Sequence, residues 1–190
     1  VAPRTSISAK VVSNLITNAG ANRIVTVDLH AGQIQGFFDI PVDNLFTTPL
    51  FARYIKKKFK SKKLICVSPD VGGVQRTRGL ATKIKADLAI IDKRRPEPGK
   101  SKVMNIIGDV RGKNCIIIDD IIDSGGTIIN AVDALKKAGA IDVYVFITHA
   151  VLSGDAAEKI KKSKIKKLII TDTIDNSLKI KNNSKIEVIS

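Results

Sequence analysis

The chain has 190 residues, which is enough for one domain or for one domain with part of another, and its hydrophobic fraction of 44% is ordinary for a globular protein. No apolar run approaches the roughly 18 residues of a membrane-spanning helix, and the first residues lack a secretory pattern, so we expect a soluble, cytoplasmic protein. The net charge of +14 favours an anionic partner such as nucleic acid or a phosphorylated metabolite.

Apolar runs of strand length alternate with helical patterns along the whole chain. Helices are predicted to end at Gly20, to begin at Thr48-Pro49 and to end at Gly139. Because the strand-length runs are continuously apolar, we expect both faces of these strands to be covered. The pattern indicates an α/β fold with a mostly parallel sheet, helices on both faces and ligands at the carboxyl ends of the strands. Strands are predicted at residues 24–29, 63–68, 88–92, 115–119, 143–150, 167–173 and 186–190.

Two segments interrupt this alternation. Residues 30–44 are punctuated by glycine and proline and are too polar for a core element. Residues 92–101 form a basic, proline-rich loop directly after a predicted strand, and alternation along an extended chain places Lys93 and Arg95 on the same side. Long loops at strand ends usually carry function, so both segments are candidates for it.

The strongest local motif runs from Cys115 to Thr127, where an apolar strand ends in two carboxylates and a glycine turn opens a helix. Backbone N–H groups at such a helix start bind a phosphate, and the glycines allow close approach. The carboxylates suit sugar hydroxyls beside that phosphate. The alternative is an acidic turn that only caps the helix, whereas a Walker A loop is excluded because no Gly-Lys-Ser/Thr follows. The residues of this predicted sugar-phosphate site are Asp119, Asp120, Asp123, Ser124, Gly125, Gly126 and Thr127.

This motif resembles the phosphoribosyl-binding loop that phosphoribosyltransferases and ribose-phosphate pyrophosphokinases share. Residues 27–44, VDLHAGQIQGFFDIPVDN, resemble the pyrophosphokinase signature, and companion motifs follow at 68–73, 91–96 and 148–154. The resemblance covers essentially the whole chain and implies a phosphoribosyltransferase-type fold. It also implies that family members carry a further N-terminal segment, which supplies most of the ATP site, and a short C-terminal extension. We therefore expect little or no catalysis from this chain alone.

The resemblance implies a ribose-phosphate diphosphokinase, which transfers the diphosphate of MgATP to the anomeric hydroxyl of ribose 5-phosphate. It implies that His30 and Asp70 hold Mg²⁺, that Lys93 and Arg95 stabilise the transferring group, and that Arg95 also contacts ribose 5-phosphate. For His149, packing or a subunit contact is the better interpretation. A phosphoribosyltransferase, a non-catalytic regulatory paralogue and an RNA-binding regulator are the alternatives. The presence of the Mg²⁺ and transfer residues argues against the regulators, and the 27–44 segment argues against the transferase.

The same resemblance predicts the domain organisation. Residues 1–45 end an N-terminal domain, residues 46–180 form the C-terminal domain with the sugar-phosphate loop, and residues 181–190 form a strand that returns to the first domain. His30 and Asp70 then approach from different domains. Family members form hexamers, so a homo-oligomer is expected.

The lysines and cysteines have simpler interpretations. Lysines cluster at residues 54–63 and 158–167 with few aromatic residues nearby for base stacking, so a solvated basic face is favoured and nucleic-acid binding is not expected. Cys66 and Cys115 lie in apolar strands at no metal-ligand spacing and are predicted to be core thiols.

Overall fold

The computed structural model describes residues 7–60, 63–94 and 103–190, and the chain divides into two compact units between Thr47 and Thr48. The first unit contains helix α1 (Ser8–Asn18), strand β1 (Ile24–Val27), a 3-10 helix (Gly32–Phe37) and strand β2 (Val42–Leu45). Strands β1 and β2 pair in parallel. Within the described ranges, no helix is long and apolar enough to cross a membrane.

The first unit agrees with one sequence prediction and corrects another. Residues 30–44 contain the 3-10 helix and most of β2, but none of these residues is buried, as expected of a segment too polar for a core element. Strand β2 needs little apolar surface because backbone pairing with β1 holds it. Strand β1 is not covered on both faces, since the side chain of Val25 is 64% exposed.

The second unit is built around a seven-stranded sheet in the order β5-β4-β3-β6-β7-β8-β9. All neighbouring strands of this sheet pair in parallel except β4 with β5. The predicted α/β fold with a mostly parallel sheet is therefore confirmed. In chain order its elements are α2 (Thr48–Lys58), β3 (Leu64–Ser68), α3 (Val74–Ile84), β4 (Asp87–Arg94), β5 (Val103–Ile107), β6 (Asn114–Ile122), α4 (Gly126–Lys137), β7 (Val143–Ala150), α5 (Ala156–Lys162), β8 (Lys167–Thr171), α6 (Ser177–Ile180) and β9 (Ile186–Ile189).

Two apolar clusters cover the two faces of this sheet. Alternate residues of β6 and β7 enter opposite clusters, so that Ile117 packs with α4 and α5 while Ile116 and Phe146 pack with α2 and α3. Phe146 is fully buried, and the ring of Phe51 meets it edge-on at 5.4 Å between centroids. Burying such a side chain contributes about 1.5–3 kcal/mol. Helices thus lie on both faces, as predicted.

The cysteines are buried as the apolar runs predicted. Cys66 lies in the cluster with α2 and α3, and Cys115 lies in the cluster with α4. Burial raises the pKa of each thiol to about 12. Both thiols therefore stay protonated near neutral pH and act as small apolar groups.

The edges of the sheet differ from the sequence analysis. Strand β4 continues to Arg94 and pairs with β5, so the backbone of Lys93 lies in a strand opposite Met104, not in a loop. Strand β5 was not predicted. Residues 181–190 were predicted to form a strand that returns to the first domain. In the structure β9 pairs with β8, and Ile186 joins the core of the second unit. The predicted domain organisation otherwise stays a prediction.

Candidate functional site

The turn from β6 into α4 opens a helix at the carboxyl edge of the sheet. Gly125 precedes the helix with φ +77°, a left-handed conformation that favours glycine, and its carbonyl accepts a hydrogen bond from the Ile129 N–H at 3.0 Å. No side chain caps this helix in the part of the chain that the structure describes. The N–H groups of the first turn have no partner within the helix, so they face outward as donors for an anion.

The two glycines of the turn have different roles. The positive φ makes Gly125 a conformational requirement. A Cβ added to Gly126, the first residue of α4, would meet nothing among the described residues within 4 Å. The protein itself therefore does not exclude a side chain at Gly126, and only a ligand against the turn would make that glycine necessary.

The two carboxylates of the predicted sugar site share one cation. Arg76 on α3 places its Nη1 atom 2.7 Å from Asp119 Oδ1 and 3.2 Å from Asp120 Oδ1. Asp119 Oδ1 also accepts a hydrogen bond from the Asp120 N–H at 3.0 Å. Both carboxylates lie inside β6, which runs to Ile122, and not at its end as the sequence predicted.

The environment of Asp119 favours its protonated form. Burial is the largest cause, the hydrogen bond and negative charge of Asp120 act in the same direction, and the Arg76 guanidinium acts against them. Together they raise the pKa of Asp119 to about 7. The pair therefore changes charge near neutral pH, where a bound sugar hydroxyl could meet either a hydrogen-bond acceptor or a donor.

Residues at the end of β7 and just after it form hydrogen bonds beside the β6–α4 turn. The carbonyl of Ile122 accepts hydrogen bonds from the N–H groups of Val151 at 3.0 Å and Leu152 at 3.2 Å. His149 Nδ1 lies 3.1 Å from the Thr173 hydroxyl, which itself donates to the Thr148 carbonyl at 2.8 Å. These contacts support the packing interpretation of His149.

A second turn, from β3 into α3, carries Asp70. The Gly73 N–H donates to Asp70 Oδ1 at 3.0 Å, and the Ser68 hydroxyl donates to the Asp70 carbonyl at 2.6 Å. A Cβ added to Gly73 would lie 2.9 Å from the Ser68 hydroxyl oxygen, so this turn is closely packed. A carboxylate has about four acceptor positions, so Asp70 suits a hard cation such as Mg²⁺ whose shell is completed by phosphate and water.

The roles of the remaining predicted site residues, His30, Lys93 and Arg95, stay predictions. His30 lies exposed between β1 and the 3-10 helix of the first unit, next to the buried Asp28. Imidazole is a poor ligand for Mg²⁺. Across residues 7–60, 63–94 and 103–190, no three His, Cys, Asp or Glu side chains are grouped to hold a metal. The metal site therefore stays a prediction, as does the role of Lys93, and Arg95 lies outside the described residues.

Arg76 is the site residue that sequence reasoning missed. Its signal was a basic residue in the first turn of α3, where the helix dipole favours acidic residues instead. Its partner Asp119 is 43 residues away along the chain, so no local pattern connects them.

Known proteins are similar to this chain over most of its length. The family model of the phosphoribosyl synthetase-associated domain matches residues 81–190. The chain is 64% identical to a ribose-phosphate pyrophosphokinase of Bradyrhizobium diazoefficiens over 171 residues, which are 90% of this chain and 54% of that protein. It is 57% identical to the Agrobacterium fabrum ribose-phosphate pyrophosphokinase over 188 residues, 99% of this chain and 61% of that protein.

A solved structure extends the similarity to the fold. The crystal structure of phosphoribosylpyrophosphate synthetase from Mycobacterium smegmatis superposes with a TM-score of 0.91 at 40% identity, covering 98% of this chain and 60% of that one. The chain thus spans between 54% and 61% of the length of these relatives.

Proposed function

The chain belongs to the ribose-phosphate pyrophosphokinase family, and on that premise we propose that its protein transfers the diphosphate of ATP to the anomeric hydroxyl of ribose 5-phosphate, giving 5-phosphoribosyl 1-diphosphate and AMP. The observation that carries the proposal is the β6–α4 turn, where an uncapped helix start follows two carboxylates held by Arg76. The helix start suits a phosphate, and the two carboxylates suit hydroxyls beside it.

The substrate is assigned to the turn in two parts. The 5-phosphate accepts hydrogen bonds from the backbone N–H groups of residues 124–127, where the helix dipole also favours negative charge. The sugar hydroxyls donate to Asp119 and Asp120. Asp120 and Ser124 are four positions apart, so their Cα atoms are separated by at most about 14 Å. The two parts of the turn therefore lie within reach of one small ligand that carries a phosphate and hydroxyls.

The transfer itself depends on positioning and charge neutralisation. Asp70 and His30 would hold Mg²⁺, which when bound neutralises charge on the ATP phosphates. Lys93 and Arg95 would meet the charge that develops on the transferring group. We extend the proposal to a cytoplasmic homo-oligomer, a hexamer as in the family.

The family relationship separates this proposal from a phosphoribosyltransferase. A phosphoribosyltransferase would use a similar loop but would consume the diphosphorylated sugar and a base. The relatives that match nearly the whole chain are named for pyrophosphokinase activity, and the match includes the 27–44 segment. A non-catalytic paralogue or an RNA-binding regulator would form no AMP, so the assay below distinguishes them.

The test compares this chain with a protein that joins it to the N-terminal segment its relatives carry. Calorimetry should detect ribose 5-phosphate binding to residues 1–190 alone, because β6, the turn and α4 lie within one unit. AMP release by the chain alone should be absent or very slow, since misplaced reactants forfeit several kcal/mol of orientation. The extended protein should release AMP in a reaction that depends on ribose 5-phosphate.

Unphosphorylated ribose is the matched ligand control, and it should bind far more weakly than ribose 5-phosphate. Robust AMP formation by the chain alone would show that the ATP site has been misplaced. Absence of ribose 5-phosphate binding, together with no AMP formation by the extended protein, would contradict the proposed function.

A further inference from the structure

Arg76 occupies a place where a cation is unfavourable for its own helix. It lies in the first turn of α3, which contains no acidic residue, and the positive end of the helix dipole lies at that turn. The Arg76 side chain is only 20% exposed. Compensation therefore has to come from another element, and the two carboxylates of β6 provide it.

The contact is a clamp rather than a single ion pair. One nitrogen, Arg76 Nη1, contacts the Oδ1 atoms of both Asp119 and Asp120, whose side chains are 19% and 3% exposed. Side chains of successive strand residues normally point to opposite faces of a sheet. Arg76 Nη1 contacts both Oδ1 atoms, so it holds the two carboxylates within reach of one nitrogen.

The clamp is tied to the Asp70 turn. Gly73 donates its N–H to Asp70 Oδ1, and its carbonyl accepts from the buried Thr77 hydroxyl at 3.0 Å. Arg76 lies between Gly73 and Thr77 in sequence, within this hydrogen-bonded turn. The backbone that carries Arg76 is therefore held by the same contacts that hold the start of α3.

We propose that Arg76 is a positioning residue for the sugar, which holds Asp119 and Asp120 side by side as hydrogen-bond acceptors for its hydroxyls. This inference rests on the proposed function, because it assumes that the sugar of ribose 5-phosphate binds at these carboxylates. Arg76 touches the carboxylates and acts through them.

Electrostatics gives the proposal a readout that a purely structural role lacks. The pKa of Asp119 is already raised to about 7 by burial and by Asp120, and Arg76 opposes that rise. Without Arg76 the pKa of Asp119 rises further, so at pH 7 its carboxyl is protonated and can donate where the sugar needs an acceptor. Raising the pH removes that proton and restores the acceptor.

The experiment measures ribose 5-phosphate affinity of Arg76→Met by calorimetry between pH 6.5 and pH 9, in the chain of residues 1–190. Affinity at pH 7 should fall by about tenfold or more, the effect of losing a charge-assisted contact, and most of the loss should disappear at pH 9. Arg76→Lys keeps the charge and should lie between the variant and the unaltered chain. Arg78→Met, which removes an exposed arginine of the same helix, is the matched control and should bind normally.

Other titratable groups contribute to the pH dependence of binding in the variant and in the unaltered chain alike. Comparing the two affinities at each pH subtracts that contribution. These groups are Asp120 on β6, Asp70 in the turn between β3 and α3, Asp123 after β6, His149 on β7 and the substrate phosphate. Circular dichroism checks that each variant folds. If Arg76→Met does not fold, Arg76→Gln takes its place, and adding Asp119→Asn to it should abolish the pH dependence.

Each result bears on one of the two proposals. Normal affinity in Arg76→Met and Arg76→Gln, or a loss that is equal at every pH, overturns the positioning role while the unaltered chain still binds ribose 5-phosphate. No binding by the unaltered chain, and no AMP formation by the extended protein, overturns the proposed function and this inference with it. A loss at pH 7 that recovers at pH 9, with Arg78→Met unchanged, supports the inference.

Discussion

The β6–α4 turn and the β4–β5 hairpin carry the two halves of the proposed site, and the fold supports them differently. Strand β6 has neighbours on both sides, and Ile122 at its end receives two backbone hydrogen bonds from the residues after β7. The hairpin lies at the edge of the sheet, where Ile107 of β5 is 53% exposed. The shape of the turn is thus supported by the sheet without a ligand, whereas the role proposed for Lys93 on the hairpin begins only once a substrate is in place.

This contrast implies that substrate binding and turnover can be lost separately. Contacts made equally to substrate and transition state change affinity, whereas contacts that strengthen as charge develops change the rate. The proposed function assigns the turn to the first kind and Lys93 to the second. Each prediction below tests one side of that division.

The largest effect is expected for Lys93→Ala in the extended protein. Turnover should fall by about a hundredfold or more, which corresponds to about 2.7 kcal/mol of lost transition-state stabilisation. Ribose 5-phosphate affinity should stay nearly unchanged, because the sugar binds at the β6–α4 turn. Steady-state AMP release gives the rate, and calorimetry gives the affinity.

Lys83→Ala is the control for loss of one positive charge, since Lys83 lies in the last turn of α3. It should leave both quantities unchanged. A normal rate in Lys93→Ala would remove this residue from the transfer step. A loss of ribose 5-phosphate affinity as large as the loss of rate would instead place Lys93 beside the sugar. It would contradict the division in which the turn binds substrate and Lys93 acts on the rate.

A smaller effect is expected on the pH dependence of stability. The pKa of Asp119 in the folded protein, about 7, lies above the 3.8 of an unperturbed carboxyl. Between those values the folded state binds more protons than the unfolded state, so the free energy of unfolding falls as pH rises from about 4 to about 7. Asp119→Asn removes the titrating group and should make that decline shallower.

Urea denaturation at pH 5 and pH 8 measures the change. Asp123→Asn is the matched control, because Asp123 is an exposed carboxylate of the same turn and should leave the decline as it is. A decline that is equally steep in Asp119→Asn would show that the titration of Asp119 does not cause it. The environment of Asp119 would then favour the protonated carboxyl less than its burial and its contact with Asp120 indicate.

The sequence predicted the parts of this molecule whose physics is local. Strands β3, β6, β7 and β8 were found because residues buried on both faces form continuous apolar runs. Strand β2 was missed because backbone pairing with β1 holds it with little apolar sequence. Strand β5, with the sequence VMNII, is mostly apolar and was not predicted. The role of the seven residues of the sugar-phosphate motif stays a prediction, and the extension of β6 beyond Asp119 to Ile122 was not predicted.

Contacts between distant segments could not be predicted in the same way. Arg76 reads as an ordinary polar residue of a helix until the fold brings it to Asp119. The sequence also does not show which glycine of the Gly125-Gly126 pair has the positive φ, since either could start the helix. That distinction leads to the smallest of the predicted effects.

Gly125→Ala and Gly126→Ala should affect stability in opposite directions. Alanine at Gly125 has to adopt φ near +77°, which costs about 1 kcal/mol or more in the free energy of unfolding. Alanine at Gly126 occupies the first turn of α4 with no described atom within 4 Å of its Cβ, so stability should be unchanged or higher by about 0.4–1 kcal/mol. Urea denaturation of the two variants gives the difference directly.

Ribose 5-phosphate affinity should also distinguish the role of Gly125 from that of Gly126. Gly126→Val places a branched side chain where the 5-phosphate approaches the backbone, so ribose 5-phosphate binding should weaken although the fold retains its stability. Asp123→Ala should also weaken binding, because it perturbs the same turn. Normal affinity in both variants would place the phosphate elsewhere. Weakened binding in a Gly126→Val protein of unchanged stability would show that Gly125 is needed for the conformation of the turn and Gly126 for the approach of its ligand.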